Sequence, residues 1–202
     1  MARHIAYDPG AAGVSLALAE RLNAPAVLSD FSRLVIDPNR GEDDPTLLMK
    51  LYDGTIIPAN RHADEAEVNR RAEMCYRPYH NAVAEAAARQ VDTIIVSIHS
   101  FTPQLRGRAP RPWEVGLLFA EDARLSRPLI GLLRDEGLTV GENEPYTGEL
   151  KGDTIDRHAI QNGRHNTLIE IRNDLIQTLE QQQDWADRFA RLLPIALEQA
   201  TA

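Results

Sequence analysis

The run Val91-Asp92-Thr93-Ile94-Ile95-Val96, continued by Ser97-Ile98-His99-Ser100-Phe101-Thr102-Pro103, constrains this chain most. β-Branched residues over a strand's length read as a buried strand of an α/β sheet, here ending at His99 in a hydroxyl-rich turn. Open α/β sheets collect ligand chemistry at the carboxyl ends of their strands. An imidazole placed there can hold a metal or move a proton near neutral pH. The same residue can equally be a histidine hydrogen-bonded at a strand end, so other features must decide.

The remaining pattern alternates helices and strands. Apolar residues at helical spacing (Val14, Leu16, Leu18, Ala19, Leu22) predict a helix over 9–22, with Pro9 near its start. Ala26-Val27-Leu28 and Leu34-Val35-Ile36 read as short strands, and 37–60 as a long connection rich in Asp, Pro, Asn and Gly. The longest helix spans 64–90 with a kink at Pro78, opened by Asn60 or Asp64 as cap. A loop over 103–112 carries Arg106, Arg108 and Arg111. Strands follow at 114–119, 138–140 and 166–171, a helix at 126–136 closed by Gly137, a polar loop at 142–153, and a final helix at 179–200 containing Pro194. Strands separated by helices predict a mostly parallel sheet with helices on both faces. The 202 residues suffice for a single domain, 1–202.

Composition narrows the function classes. A chain with 43% hydrophobic and 26% charged residues is a globular protein, and its net charge of -8 argues against nucleic-acid binding. Cys75 is the one cysteine, which excludes a disulfide framework or a cysteine metal cluster and suits the reducing cytoplasm. No secretory or membrane-spanning segment is expected, since no run approaches 18 apolar residues.

The loops at strand ends hold the chemistry. Asp37-Pro38-Asn39-Arg40 sets an acid, an amide and a guanidinium side by side, and Arg40 suits a bidentate grip on a carboxylate. A simple Asx-Pro turn with a solvated arginine is the competing reading. In Tyr76-Arg77-Pro78-Tyr79-His80-Asn81, helical spacing puts Tyr76, Tyr79 and His80 on one face, either a packed cluster or a wall of a polar pocket. Gly141-Glu142-Asn143-Glu144-Pro145-Tyr146-Thr147-Gly148 is richer than turn chemistry requires, although a solvated acidic turn would also read so. Along the last strand, alternation places Glu170 and Arg172 on one side and Ile169 and Ile171 on the other. A carboxylate on a buried strand is costly unless paired, here with Arg172, or functional, here as a general base.

Asp37-Pro38-Asn39-Arg40, Tyr76-Arg77-Pro78-Tyr79-His80, Ser97-Ile98-His99-Ser100-Phe101-Thr102-Pro103, Asn143-Glu144-Pro145-Tyr146 and Glu170-Ile171-Arg172-Asn173-Asp174-Leu175, taken in that order, resemble the N-formylglutamate amidohydrolase family. The resemblance covers the chain from about His4 to about Leu175. It implies a three-layer α/β sandwich with a mixed, mostly parallel sheet, as in zinc-dependent exopeptidases. It also implies hydrolysis of the amide of an N-formyl or N-acyl amino acid, such as N-formylglutamate. A zinc or other divalent ion would polarise the carbonyl and activate water.

By that resemblance His99 is a metal ligand, Glu170 transfers the proton, Arg40, Arg61 or Arg172 holds substrate carboxylate, and Asn143 and Tyr146 line the pocket. Members of the family usually carry a strand and a His-Ala-Ser-Asn or His-Ser-Gly type loop upstream, which supplies another metal-ligand histidine. The residues before His4 do not contain it, which leaves His4, Asp8 and Glu142 as candidates for the remaining ligands. A non-catalytic relative that binds a small carboxylate without a complete metal site is the alternative function. The partner expected is a small molecule, with a homo-oligomer covering any sheet edge that the shortened start exposes.

Overall fold

Apolar runs pair into one mixed sheet, and a small hairpin stands apart from it. The computed structural model describes residues 5–149 and 151–201. The strands are β1 (Leu51–Tyr52), β2 (Thr55–Ile56), β3 (Ile95–Phe101), β4 (Val115–Leu118), β5 (Val140–Glu142) and β6 (Asn166–Arg172). The helices are α1 (Ala11–Leu22), α2 (Glu65–Arg71), α3 (Arg77–Ala87), α4 (Ser126–Asp135), α5 (Thr154–His158) and α6 (Leu179–Thr201). The main sheet runs β3-β6-β4-β5. β3 lies parallel to β6 and β4 parallel to β5, while β6 and β4 are antiparallel, so the sheet is mixed and mostly parallel.

Strand alternation assigns the two faces. Val115, Leu117, Val140, Ile169 and Ile171 point into the larger core, where Val14, Leu18, Leu129, Leu133, Trp185 and Phe189 from α1, α4 and α6 meet them. In α6 the buried positions Trp185, Ala186, Phe189, Leu192, Leu193 and Ala196 recur at helical spacing, which selects the face that docks. Burying Phe189, Leu192 or Leu193 stabilises the fold by about 1.5–3 kcal/mol each relative to exposure. On the opposite face, Leu118 and Leu168 pack against Ile155 of α5. Behind α5 lies the helical stretch from α2 to α3, joined by a π-type turn at Ala72–Tyr76 just before Pro78. The layers are helix, sheet and helix, as the resemblance implied.

Several local expectations give way. Residues 26–28 and 34–36 form no strand. Ile36 instead packs with Leu47 and Tyr76 in a cluster away from the sheet. An apolar run of three residues has no ladder to join unless a partner strand is free. The run Val91–Ile94 precedes the strand, and Val91 is 94% exposed. β3 begins where β6 begins to pair with it, at Ile95 opposite Asn166, and continues past His99 to Phe101 opposite Arg172. The connection at 37–60 contains the β1–β2 hairpin, turned at Asp53 and Gly54, both with positive φ. The polar loop at 142–153 leads into α5, which Asp153 caps by accepting the Asp156 N–H at 2.8 Å. Asp64 caps α2, whereas Asn60 is buried and spans Leu34 and Met49 carbonyls at 2.8 Å.

Candidate active site

One row across the sheet organises the site. His99 on β3 stands opposite Glu170 on β6, Glu170 opposite Gly116 on β4, and Gly116 opposite Gly141 on β5. All four lie on the face away from the larger core. The glycines make room for backbone. A Cβ on Gly116 would collide with the Glu144 carbonyl oxygen, and one on Gly141 would meet that oxygen at 2.8 Å. The chain after β5 therefore doubles back over the sheet. Asn143, at φ 52, latches this turn by accepting the Phe119 N–H at 2.9 Å, and the Glu144–Pro145 bond is cis. The result carries Tyr146 to Arg111, whose guanidinium sits 5.0 Å from the phenol ring.

The segment before α1 closes the other side. The Ser100 hydroxyl donates to the Pro9 carbonyl at 2.8 Å, which holds Asp8 over β3. Asp8 then contacts His99 Nδ1 at 2.6 Å through Oδ2 and Arg33 at 3.0 Å through Oδ1. Arg33 reaches on to Asp37, also at 3.0 Å, whose side chain is 1% exposed. Burial alone would raise the Asp8 carboxyl, but Arg33 first and His99 next hold it down at about 2. Burial likewise disfavours a charged His99, yet the bond to Asp8 and the charges of Asp8 and Glu170 raise its pKa above the ordinary value. The contact to Asp8 occupies His99 Nδ1 and leaves Nε2 as its remaining nitrogen.

Glu170 behaves differently. Its side chain is buried, and Oε2 has no hydrogen-bond partner among the described residues. Burial pushes the carboxyl up to about 7; His99 opposes the rise, Asp8 adds to it, and Arg33 and Arg111 oppose it more weakly. The ion pair with Arg172 anticipated for a buried carboxylate does not form, because Arg172 turns to Asp174 at 2.8 Å and to the Trp113 carbonyl at 3.3 Å. A carboxyl that titrates near neutrality can take a proton from water or return one to a leaving amine.

The other residues singled out from sequence spread around this row. Tyr146 is half-buried beside Arg111, and burial raises its phenol to about 12. Arg40 donates to Thr46 at 3.2 Å and to the Asn39 carbonyl at 2.8 Å, and its own carbonyl accepts the Tyr76 hydroxyl at 2.7 Å. Arg40 also acts on Asp153, a buried carboxyl that burial raises to about 6 while His99 pulls it down. Arg61 is exposed at the end of a short helical turn and Glu142 is exposed at the end of β5. His4 lies outside the described residues.

Arg33, Arg111 and Asp153 escaped the sequence reading. Arg111 was one of several arginines in a loop, and its anchoring on the Thr102 and Pro103 carbonyls just after β3 could not be read from the sequence. The capping pattern Asp153-Thr154-Ile155-Asp156 was the available signal for Asp153. The face of Tyr76, Tyr79 and His80 does assemble, and His80 stacks on His158 with Nδ1 and Nε2 at 2.9 Å. Burial lowers the pKa of both rings, His80 to about 3, so the pair is neutral.

Asp8 and His99 are brought together, as a metal site would need. Among the described residues, however, no group of three His, Cys, Asp or Glu side chains comes together to hold a metal ion. Asp8 already bonds His99 Nδ1 through one oxygen and faces the Arg33 guanidinium with the other, which opposes a divalent cation. The described donors do not by themselves fit zinc, whose catalytic sites take about three protein ligands. No helix among the described residues is long and apolar enough to cross a membrane.

Comparison with known proteins places this arrangement. The crystal structure of gene product Atu2144 from Agrobacterium tumefaciens is 37% identical and superposes with a TM-score of 0.93, covering 100% of this chain and 81% of its own. The crystal structure of N-formylglutamate amidohydrolase from Ralstonia eutropha JMP134 is 27% identical with a TM-score of 0.62, covering 84% of this chain and 74% of its own. No curated protein matches the chain. The family model for N-formylglutamate amidohydrolase matches residues 1–177, which take in the whole row from Asp8 to Glu170, and the chain belongs to the N-formylglutamate amidohydrolase family.

Proposed function

We propose that this chain hydrolyses the amide bond of an N-formyl or N-acyl amino acid, with Glu170 as the group that moves the proton. The observation that carries the reading is the state of Glu170, buried opposite His99 with its carboxyl raised to about 7 and Oε2 unpartnered. Such a group is half-ionised at neutral pH. It can accept a proton as water attacks the formyl carbon and pass it to the departing amine. His99 faces Glu170 across the strand pair, and His99 and the Arg111 guanidinium both act on its carboxyl, so they are the groups that would offer positive charge where the carbonyl oxygen becomes anionic. Arg40, whose carbonyl accepts the Tyr76 hydroxyl, is the cation assigned in this reading to a substrate carboxylate.

The test is release of formate and the free amino acid from N-formylglutamate by the purified chain, with Glu170→Gln alongside. Turnover that falls by at least about a hundredfold in Glu170→Gln, with an unchanged circular dichroism spectrum, supports the assignment. Undiminished turnover in that variant refutes it. Binding of glutamate with no turnover by the wild type would return the chain to the carboxylate-binding alternative.

A further inference from the structure

The arginines around the row are not equivalent. Arg33 is consumed by Asp8 and Asp37, and Arg172 by Asp174. Arg111 makes no ion pair among the described residues, although it is half-buried and its charge reaches Glu170. Its guanidinium carbon lies 5.0 Å from the Tyr146 ring centroid and 5.6 Å from that of Phe101, so two aromatic faces fix the plane. Nη1 donates to the Thr102 carbonyl at 3.0 Å and to the Tyr146 hydroxyl at 3.2 Å. The Arg111 backbone N–H is itself anchored on the Pro103 carbonyl at 2.8 Å. Nε and Nη2 donate to nothing among the described residues. That edge of a guanidinium is the one that matches both oxygens of a carboxylate.

We infer that Arg111 is a specificity-determining residue whose open Nε–Nη2 edge receives a carboxylate of the ligand. The inference rests on the hydrolase reading for the identity of the substrate, but its binding component stands by itself. Ordering a long side chain normally costs rotamer freedom when an anion binds. Here the ring stacking and the Nη1 bonds have already ordered it. Tyr146, accepting from Arg111, keeps its own hydroxyl proton for the same ligand. A ligand with a second carboxylate would need a second cation, and Arg40 in the 37–40 turn is the one proposed for it.

Glutarate serves as the probe, titrated calorimetrically into the wild type, Arg111→Gln and Arg111→Lys, with melting temperatures and N-formylglutamate turnover measured in parallel. Glutarate affinity is expected to fall by about tenfold to a hundredfold in Arg111→Gln, as for loss of a charge-assisted pair. Most of the loss should persist in Arg111→Lys, since an ammonium lacks the fork. Should Arg111→Gln not fold, Arg111→Lys alone decides. Affinity within twofold of wild type in the variant read, or no glutarate binding by the wild type, overturns the inference. Wild-type turnover with glutarate affinity indifferent to position 111 removes the role of Arg111 and leaves the hydrolase standing. Arg111-dependent glutarate binding without turnover does the reverse.

Discussion

Replacing Glu170 by glutamine should stabilise the protein at alkaline pH and leave it almost unchanged in acid. The unfolded carboxyl ionises at 4.5, whereas burial holds the folded one at about 7. Below the first value both states are protonated and the residue contributes nothing to the difference. Between the two, the folded state keeps a proton that the unfolded state has released, so stability falls as pH rises. Above about 7 the full cost is present, and at 1.36 kcal/mol for each pH unit it comes to about 3 kcal/mol. Glutamine has nearly the shape of the protonated side chain and does not titrate. Urea unfolding of wild type and Glu170→Gln, each treated with a chelator, would be compared at pH 5 and pH 8. The variant is expected to gain about 3 kcal/mol on the wild type at the higher pH, or roughly 6–12 °C in Tm for a chain of this size. Asp8 stays ionised in both folded proteins at these pH values, and the part of the His99 shift that comes from Glu170 belongs to the difference being measured. A gap of the same size at both pH values would refute the argument, as would a variant less stable than the wild type at pH 8.

Other perturbations test the architecture around the row. Gly116→Ala places a methyl group against the Glu144 carbonyl and is expected to cost about 1–3 kcal/mol in urea unfolding. Weakened glutarate binding should accompany that loss as Tyr146 moves from Arg111. Arg33→Gln leaves Asp8 and Asp37 without their shared cation and should destabilise by about 3–5 kcal/mol at pH 7. The Asp8 share of the loss should shrink as pH falls from about 4 towards 2, because Asp8 ionises at 3.8 in the unfolded chain and at about 2 in the folded one. Phe189→Ala in α6 opens the larger core and should cost about 3–5 kcal/mol by the same assay. Zinc incubation followed by dialysis is expected to leave well under one zinc per chain by metal analysis. Near one zinc per chain, lost in His99→Ala, would show that residues beyond the described set, His4 first among them, complete a site.

Long apolar elements were legible from the sequence because their partners agree with their local pattern. β4, β5, β6, α1, α4 and α6 all lie within a few residues of where periodicity puts them. Two short apolar runs failed for the opposite reason. Ala26-Val27-Leu28 and Leu34-Val35-Ile36 look like strands locally, but Ile36 gains its burial from Leu47 and Tyr76 without a ladder. The Asp53-Gly54 hairpin signal was present inside a segment rich in Asp and Pro. At the site, residues on regular elements were readable and residues that depend on a return of the chain were not. Strand alternation alone puts Glu170 on the face away from Ile169 and Ile171. Nothing local says that Arg172 will choose Asp174, or that a chain folded over two glycines will deliver Tyr146 to Arg111.

The same geometry explains why two nearby carboxyl groups end in opposite states. Asp8, partly buried, and Glu170, buried, both lie against His99, and desolvation raises each of them. Asp8 also bonds His99 Nδ1 directly and touches Arg33, so it is held at about 2 and stays ionised across the working range. Glu170 makes no ion pair with either cation, and its Oε2 has no hydrogen-bond partner among the described residues. Its carboxyl is left at about 7. Groups whose environments drive their ionisation apart divide the labour of acid–base chemistry. Asp8 can orient His99 but cannot pick up a proton near neutrality, and Glu170 can. The proposed assignment of proton transfer to Glu170 agrees with where Arg33 is spent, on Asp8 and Asp37.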